Sequence, residues 1–242
     1  MSDDRTLRVD GLVNARDLGD LPLRDGGTTP RGRVFRSESV DRVTTDGWRT
    51  LHDAGIRTVV DLRAPSERAK DTGPRPEWLT TVVVDHDGLD DAPGFWEAYW
   101  ETGLVGTPLY YGPHLAELPE RTGRALAAIA EAPPGGVVFH CAGGRDPTGI
   151  VALAFLTIAG VESSAIVDDY LLTVETAPAL YESIGVPLPE GKIEALCAEH
   201  GTTVAGAFRA AVDGLDVVRL VEPYGLDADG LEALRTFRAH VA

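Results

Sequence analysis

Apolar and polar positions along the chain fall into two periods. Thr45 to Ala54 carries Trp48 and Leu51 at helical spacing and runs into Gly55, a residue suited to the left-handed position that ends a helix. Ile56 to Leu62, IRTVVDL, is a short apolar run of buried-strand type, and Leu79 to Val84 reads as a second strand. Leu115 to Ala132 has helical spacing through Leu118, Leu126 and Ile129, and Pro133-Pro134-Gly135-Gly136 ends it. The run VVFH (137–140) is then a buried strand, and Thr148 to Ala159 a buried helix. The same spacing predicts helices over Ser163 to Val174, Ile193 to His200, Thr203 to Val212 and Ala228 to His240. In the first forty residues, Gly11, Gly19, Pro22, Gly26, Gly27, Pro30 and Gly32 mark turns between short strands, one of them at Arg33 to Arg36. Helices alternating with buried strands predict an α/β layer.

No stretch has the length or composition of a linker, and no repeat is present, so residues 1–242 read as a single domain. Between them, GFWEAYWETGLVGTPLYYGP gathers Phe95, Trp96, Tyr99, Trp100, Tyr110 and Tyr111. Such a cluster suits a packed core, or a lid or insertion over a pocket at about 92–113.

Composition narrows the function. The apolar fraction of 43% and charged fraction of 25% are those of a globular chain with a real core. The formal charge of −16 disfavours nucleic acid and anionic lipid as partners, since both are attracted by clustered Lys and Arg. An anion site in such a field must be built locally. Two cysteines, Cys141 and Cys197, form no disulfide framework, and MSDDRTLRVDG has neither a basic start nor an apolar core of a leader. The longest apolar run, Ile150 to Ala159, is too short to cross a bilayer, and the expectation is a reduced, cytoplasmic protein.

One stretch carries chemistry. In VVFHCAGGRDPTGIVALAFL a strand feeds Cys141, then a loop of small and charged residues, then Thr148-Gly149 and an apolar helix. A thiolate needs its pKa lowered from about 8.5 to act at neutral pH, and loop amides with the positive end of a helix supply that field. The same groups cradle phosphate oxygens. Gly143 and Gly144 permit the close backbone approach, Thr148 can donate to the sulfur, and Gly149 allows tight helix packing. A lone cysteine is more often a buried structural residue; the surrounding pattern argues for an anion loop of present or ancestral function.

HCAGGRDPTG resembles the signature of the cysteine-dependent protein-tyrosine phosphatases, in particular the bacterial branch reading HCxxGKDRTG, whose members include dual-specificity and phosphoinositide phosphatases. The resemblance extends to NARDLG (14–19), GRVFRSES (32–39), VVDLRAPSER (59–68) and DDYLLT (168–173), in that order. It implies a mostly parallel central sheet flanked by helices, with the cysteine loop at the carboxyl end of a central strand. It also implies that Cys141 attacks phosphorus and that water hydrolyses the cysteinyl phosphate, with no metal or cofactor. Ala142, Gly143, Gly144, Arg145, Thr148 and Gly149 then bind the phosphoryl group, while His140, Arg16, Asp17 and Arg36 support the loop, with Asn14 and Ser37 beside them. The implied substrates are a phosphorylated protein, a phosphoinositide or a small phosphate ester.

The chain departs from the signature at Pro147, six residues after Cys141, where the family carries arginine. An arginine there forks two phosphoryl oxygens; proline removes the fork and one amide donor. Loss of one oxyanion donor costs ~2.7–4 kcal/mol, so a rate lower by roughly a thousandfold is expected. Arg145 carries the right head group but matches the cation the family already has there. Proline also suits the first turn of a helix. Reduced hydrolysis therefore stands beside two alternatives: a pseudophosphatase that binds a phosphorylated or anionic ligand, and a biosynthetic enzyme reusing the pocket.

For the proton donor, Asp61 of the DLR block and Asp146 of the loop are both candidates, and either can instead serve as a cap. Arg63 and Glu67, four apart, are expected to pair on a helix face. Asp85-His86-Asp87 has metal-like residue types but no partner cluster and reads as a turn; Cys197 reads as a helix-packing residue. Oligomeric state is left open.

Overall fold

A computed structural model describes residues 5–71, 73–221 and 226–238. Five strands, β1 (Arg16–Asp17), β2 (Val34–Ser37), β3 (Ile56–Asp61), β4 (Thr80–Val83) and β5 (Gly136–His140), form one sheet in the order β1-β2-β5-β3-β4. β2, β5, β3 and β4 run parallel, and the two-residue β1 pairs antiparallel at the edge of β2. Central strands of a parallel sheet are covered on both faces, which is why β5 is buried at every position and reads as an apolar run, Val137 to Phe139, ahead of His140.

Eleven helices surround the sheet: α1 (Thr45–Asp53), α2 (Pro65–Arg68), α3 (Pro93–Glu101), α4 (Tyr111–Glu117), α5 (Pro119–Ala130), α6 (Asp146–Ile158), α7 (Ser163–Ile184), α8 (Glu190–Glu199), α9 (Val204–Asp213), α10 (Val217–Val221) and α11 (Ala228–Arg235), counted among the described residues. Side-chain alternation divides the core. Phe35, Val59 and Val138 face Trp48 and Leu51 of α1. Val34, Val60, Val137 and Phe139 face the larger layer containing α5 and α6. From Thr148 to Leu156 every residue of α6 is buried, as expected of a helix that is apolar all round.

The mostly parallel α/β sheet has the expected architecture, and its strand order sets the site. Sequence neighbours β2 and β3 are separated by β5, which pairs with both, so Ser37, Asp61 and His140 align at one carboxyl edge. Ligands of open α/β sheets bind outside such an edge, where the strand order switches.

Several boundaries differ from the expectation. The helix predicted over Leu115 to Ala132 is two helices broken at Leu118, because Pro119 cannot continue the preceding turn. α7 continues ten residues past Val174 to Ile184, through Pro178, because Ala177 and Leu180 extend its buried stripe; Gly185 ends it at φ 70°. The predicted last helix ends at Arg235, and the end of that range, 239–240, lies outside the described residues. No helix among the described residues is long and apolar enough to cross a membrane.

Candidate active site

β5 delivers His140 to the sheet edge, and the next five residues form a loop before α6 begins at Asp146. The loop's carbonyls are held from outside, one after another. His140 Nδ1 lies 3.0 Å from the Cys141 carbonyl, and the Ser39 amide donates to Ala142 at 2.9 Å. Asn14 Nδ2 donates to Gly143 at 3.1 Å, Arg36 Nη2 to Gly144 at 2.9 Å, and the Gly149 amide to Arg145 at 2.6 Å. Because each peptide is planar and trans, carbonyls tied outward turn N–H groups inward. The amides of Gly144 and Thr148 accordingly act to lower the pKa of the Cys141 thiol.

Two glycines are required by this packing. Gly144 sits at φ 70°, and a Cβ there would lie 2.7 Å from the Ser37 backbone. A Cβ at Gly149 would meet the Tyr111 hydroxyl at 3.0 Å, so its absence lets Tyr111 lie against the first turn of α6.

Behind the loop, one carboxylate meets three guanidiniums. Asp169 on α7 accepts from Arg5 Nη1 at 2.9 Å, Arg16 Nε at 3.0 Å and Arg36 Nη1 at 2.9 Å. Although burial pushes its pKa up, Arg16, Arg36 and Arg5 hold Asp169 well below the usual carboxylate range. Burial, reinforced by Arg16, lowers Arg36 to about 10. Arg16 also grips Asn14 Oδ1 at 2.7 Å, which aims the Asn14 amide at the loop. Asp17 accepts from the Gly19 and Gly32 amides and braces the N-terminal turns rather than the loop itself.

Cys141 is buried, and burial raises its thiol pKa; Thr148 and the Gly144 amide oppose that shift. Burial thus outweighs the lowering that the loop supplies. Thr148 Oγ1 makes no hydrogen bond to nitrogen or oxygen. Asp146 is raised to about 6 by burial, against the lowering effect of Arg145 and of a 3.0 Å hydrogen bond from Tyr111.

A cavity of about 400 Å³ opens over the loop, lined by Cys141, Ala142, Gly143, Arg145, Asp146 and Pro147. Trp96, Trp100, Tyr110, Tyr181, Lys192 and Leu196 also line it. In the aromatic stretch Phe95, Trp96, Tyr110 and Tyr111 are buried, while Trp100 is 54% exposed and lines the cavity.

The two acid candidates part company. Asp146 lines the cavity; Asp61 does not, and its carboxylate is chelated by Arg63 through Nε at 2.9 Å and Nη2 at 2.7 Å. Burial alone would raise Asp61, but Arg63 draws it below its ordinary value. Arg63 also pairs with Asp41 and Asp71, so the expected Arg63 to Glu67 pair gives way to a three-carboxylate cluster, and Glu67 instead accepts from the Ala64 amide at the start of α2. Of the residues expected to bind or support the phosphoryl group, Gly144, Thr148, Gly149, His140, Arg16 and Arg36 do not line the cavity, and Cys197 is buried on α8.

One cavity residue has only a weak sequence signal. Asp87, in the DHD turn after β4, lines the cavity with its carbonyl fixed by Trp96 Nε1 at 2.8 Å. Burial, together with Asp85, raises its carboxyl to about 7. The backbone bends at His86 and Asp87, and the Gly88 amide donates to Asp85 Oδ1 at 3.0 Å. No group of three His, Cys, Asp or Glu side chains suited to a metal exists among the described residues.

The family model described as "Tyrosine phosphatase family" matches residues 7–236. A protein of Mycobacterium tuberculosis named "Triple specificity protein phosphatase" is 30% identical over 199 residues, covering 70% of this chain and 70% of that protein. A protein of Cupriavidus necator named "Putative tyrosine-protein phosphatase" is 29% identical over 174 residues, covering 68% of this chain and 62% of its own length. A "Tyrosine-protein phosphatase" of Nostoc commune is 26% identical over 160 residues, and the match spans 49% of its length.

Proposed function

The chain belongs to the tyrosine phosphatase family, and on that footing we propose that it hydrolyses phosphomonoesters through Cys141, slowly because Pro147 stands where the family has arginine. The observation that carries this reading is that Cys141 lines one cavity together with two carboxyls, Asp146 and Asp87, raised to about 6 and about 7.

The steps follow from those groups. Cys141 first loses its thiol proton to solvent, a step that burial makes harder, and Sγ then attacks phosphorus; the sulfur to phosphorus bond forms as the ester P–O bond breaks. The leaving oxygen takes the proton of Asp146 or Asp87, since groups of raised pKa still carry a proton near neutrality. Water then attacks phosphorus, the same carboxylate accepts its proton, and the thiolate leaves. Loop amides and the first turn of α6 stabilise the equatorial oxygens. Asp61 is reserved for holding Arg63. The aromatic lining of Trp96, Trp100 and Tyr110 suits an aryl ester such as phosphotyrosine.

Hydrolysis of a generic aryl phosphate by the natural protein and by Cys141→Ser tests the reading. Turnover lost in the serine form supports it; equal turnover in both sinks it. A second reading, capture of an anion without hydrolysis, draws on the raised thiol pKa and on Pro147. Saturable phosphate binding with no product from any aryl phosphate would select it.

A further inference from the structure

With proline at position 147, the cationic side chains lining the cavity are Arg145 and Lys192, among the described residues. Arg145 is committed in an unusual way. Its Nη1 reaches both oxygens of Glu190, at 2.8 and 2.7 Å, and its Nε lies 3.3 Å from the Tyr170 hydroxyl. Nη2 is buried and has no partner. A guanidinium binds an oxyanion best through two parallel N–H donors from two nitrogens. Here one nitrogen takes both oxygens and the other is idle, which is costly for a buried donor.

We infer that Arg145 is the guanidinium with which this chain grips a phosphoryl oxyanion, and that Glu190 is an internal carboxylate competitor that occupies the grip until the anion displaces it. The carboxylate is the same kind of ligand as the phosphoryl group, with two oxygens available to the fork. Exchanging one for the other keeps the buried cation paired throughout, so the step avoids stranding a charge. The Glu190 carboxylate is free to leave. It is the first residue of α8, and the chain that joins α8 to α7 is exposed from Ile184 to Leu188, so this end can shift without uncovering the core. Glu190 does not itself line the cavity, but it acts electrostatically on Asp146, so its departure also relieves the negative charge around a cavity that holds Glu67, Asp87 and Asp146.

The inference takes its ligand class from the phosphatase reading, but its test does not need turnover. Inorganic phosphate is titrated calorimetrically into the full chain in four forms: natural, Glu190→Gln, Arg145→Gln and the double variant. Removing the competitor should tighten phosphate binding by about tenfold, which corresponds to ~1.4 kcal/mol. Arg145→Gln should weaken binding, and in that background Glu190→Gln should change it less than about twofold, because the competitor acts only through the guanidinium. Arg145→Lys, which keeps the charge without the fork, should fall between and replaces the glutamine form if that fails to fold. Unchanged or weaker binding in Glu190→Gln overturns the inference, as does absence of phosphate binding in both the natural protein and Glu190→Gln. A tightening that persists without Arg145 would reassign the effect to general repulsion and also overturns it. Tight binding in Glu190→Gln without hydrolysis by any form keeps the inference and removes the hydrolase reading.

Discussion

The Tyr111 hydroxyl donates to Asp146 Oδ1 at 3.0 Å and stands 3.2 Å from the Arg145 carbonyl, so one phenol joins the cavity's inner carboxyl to the loop. Its position depends on Gly149, whose missing Cβ leaves the phenol room. The second oxygen, Oδ2, lies on the side of Gly106, 3.9 Å from where a Cβ at that residue would sit.

Tyr111→Phe should move the acid. The hydroxyl lowers the Asp146 pKa, so removing it sends the carboxyl above its present value of about 6. If Asp146 is the donor, the alkaline limb of the kcat/KM profile shifts upward by a fraction of a unit. The folded state should lose about 1 kcal/mol, the usual worth of one hydrogen bond. A pH–rate profile with its limb unmoved would assign proton donation to Asp87.

Gly144→Ala should disable the loop more than it harms the core. Position 144 needs φ 70° and a backbone contact with Ser37 that a Cβ would bring to 2.7 Å. Strain of that kind costs ~1–3 kcal/mol. Phosphate affinity should fall by at least tenfold, while the urea midpoint drops modestly. Retention of full affinity would show that the loop tolerates displacement from Ser37.

The cysteine loop was legible in the sequence because its information is local. Two glycines, a cysteine and an apolar helix are adjacent, and each constrains the backbone within a few residues. The strands β3 and β5 were legible for a related reason: burial on both faces leaves unbroken apolar runs at Val59–Val60 and Val137–Phe139, each leading to one polar residue, Asp61 or His140, at the sheet edge. What could not be read is tertiary. Asp87 lies 54 residues from Cys141 and looks like any turn aspartate until Trp96 fixes its carbonyl. Glu190 meets Arg145 only because α7 runs on past Val174 and returns α8 over the loop. Asp61 and Arg63 match the family block at the expected place, yet their mutual chelation, not their spacing, directs Asp61 away from the cavity.

Asp169→Asn should be among the most damaging single substitutions. It leaves Arg5, Arg16 and Arg36 around a neutral amide, and breaking a buried ion cluster from one side costs ~3–5 kcal/mol. The native carboxyl titrates below its unfolded value, so its stabilisation is complete above an unfolded pKa of about 3.9 and fades only as pH falls through the lower folded value. Chemical denaturation at pH 7 should show the full loss. A loss under about 1 kcal/mol would mean that the three arginines find other partners.

His86 and Asp87, neighbours in the chain, pull stability with pH in opposite directions. His86 is buried and stacked on His114 with ring centroids 4.8 Å apart, and burial lowers it to about 3. The unfolded chain therefore binds the extra proton between about pH 6.5 and 3, and this group destabilises as the solution is acidified. Asp87 is raised to about 7, so the folded chain binds the extra proton between about pH 3.9 and 7, and this group destabilises as pH rises. Asp87→Asn removes only the second linkage. Relative to the natural protein, its urea midpoint should gain more at pH 8 than at pH 5, and its own stability should fall more steeply with acid. An equal change at both pH values would mean that Asp87 is solvated and titrates normally.

Pro147→Arg tests where the missing charge belongs. Pro147 already lines the cavity in the first turn of α6, so an arginine there starts on the correct wall and restores an amide donor as well as a guanidinium. An oxyanion contact is worth ~2.7–4 kcal/mol, which predicts a gain in kcat of about 10²- to 10³-fold on an aryl phosphate. The gain should be smaller when Glu190→Gln is already present, because Arg145 then takes part of the same charge. Two guanidiniums competing for one phosphoryl group are less than additive. Equal gains in the two backgrounds would separate the sites and leave Arg145 outside the phosphoryl contact, whereas a gain under about tenfold in the natural background would show that the loop had already replaced its arginine.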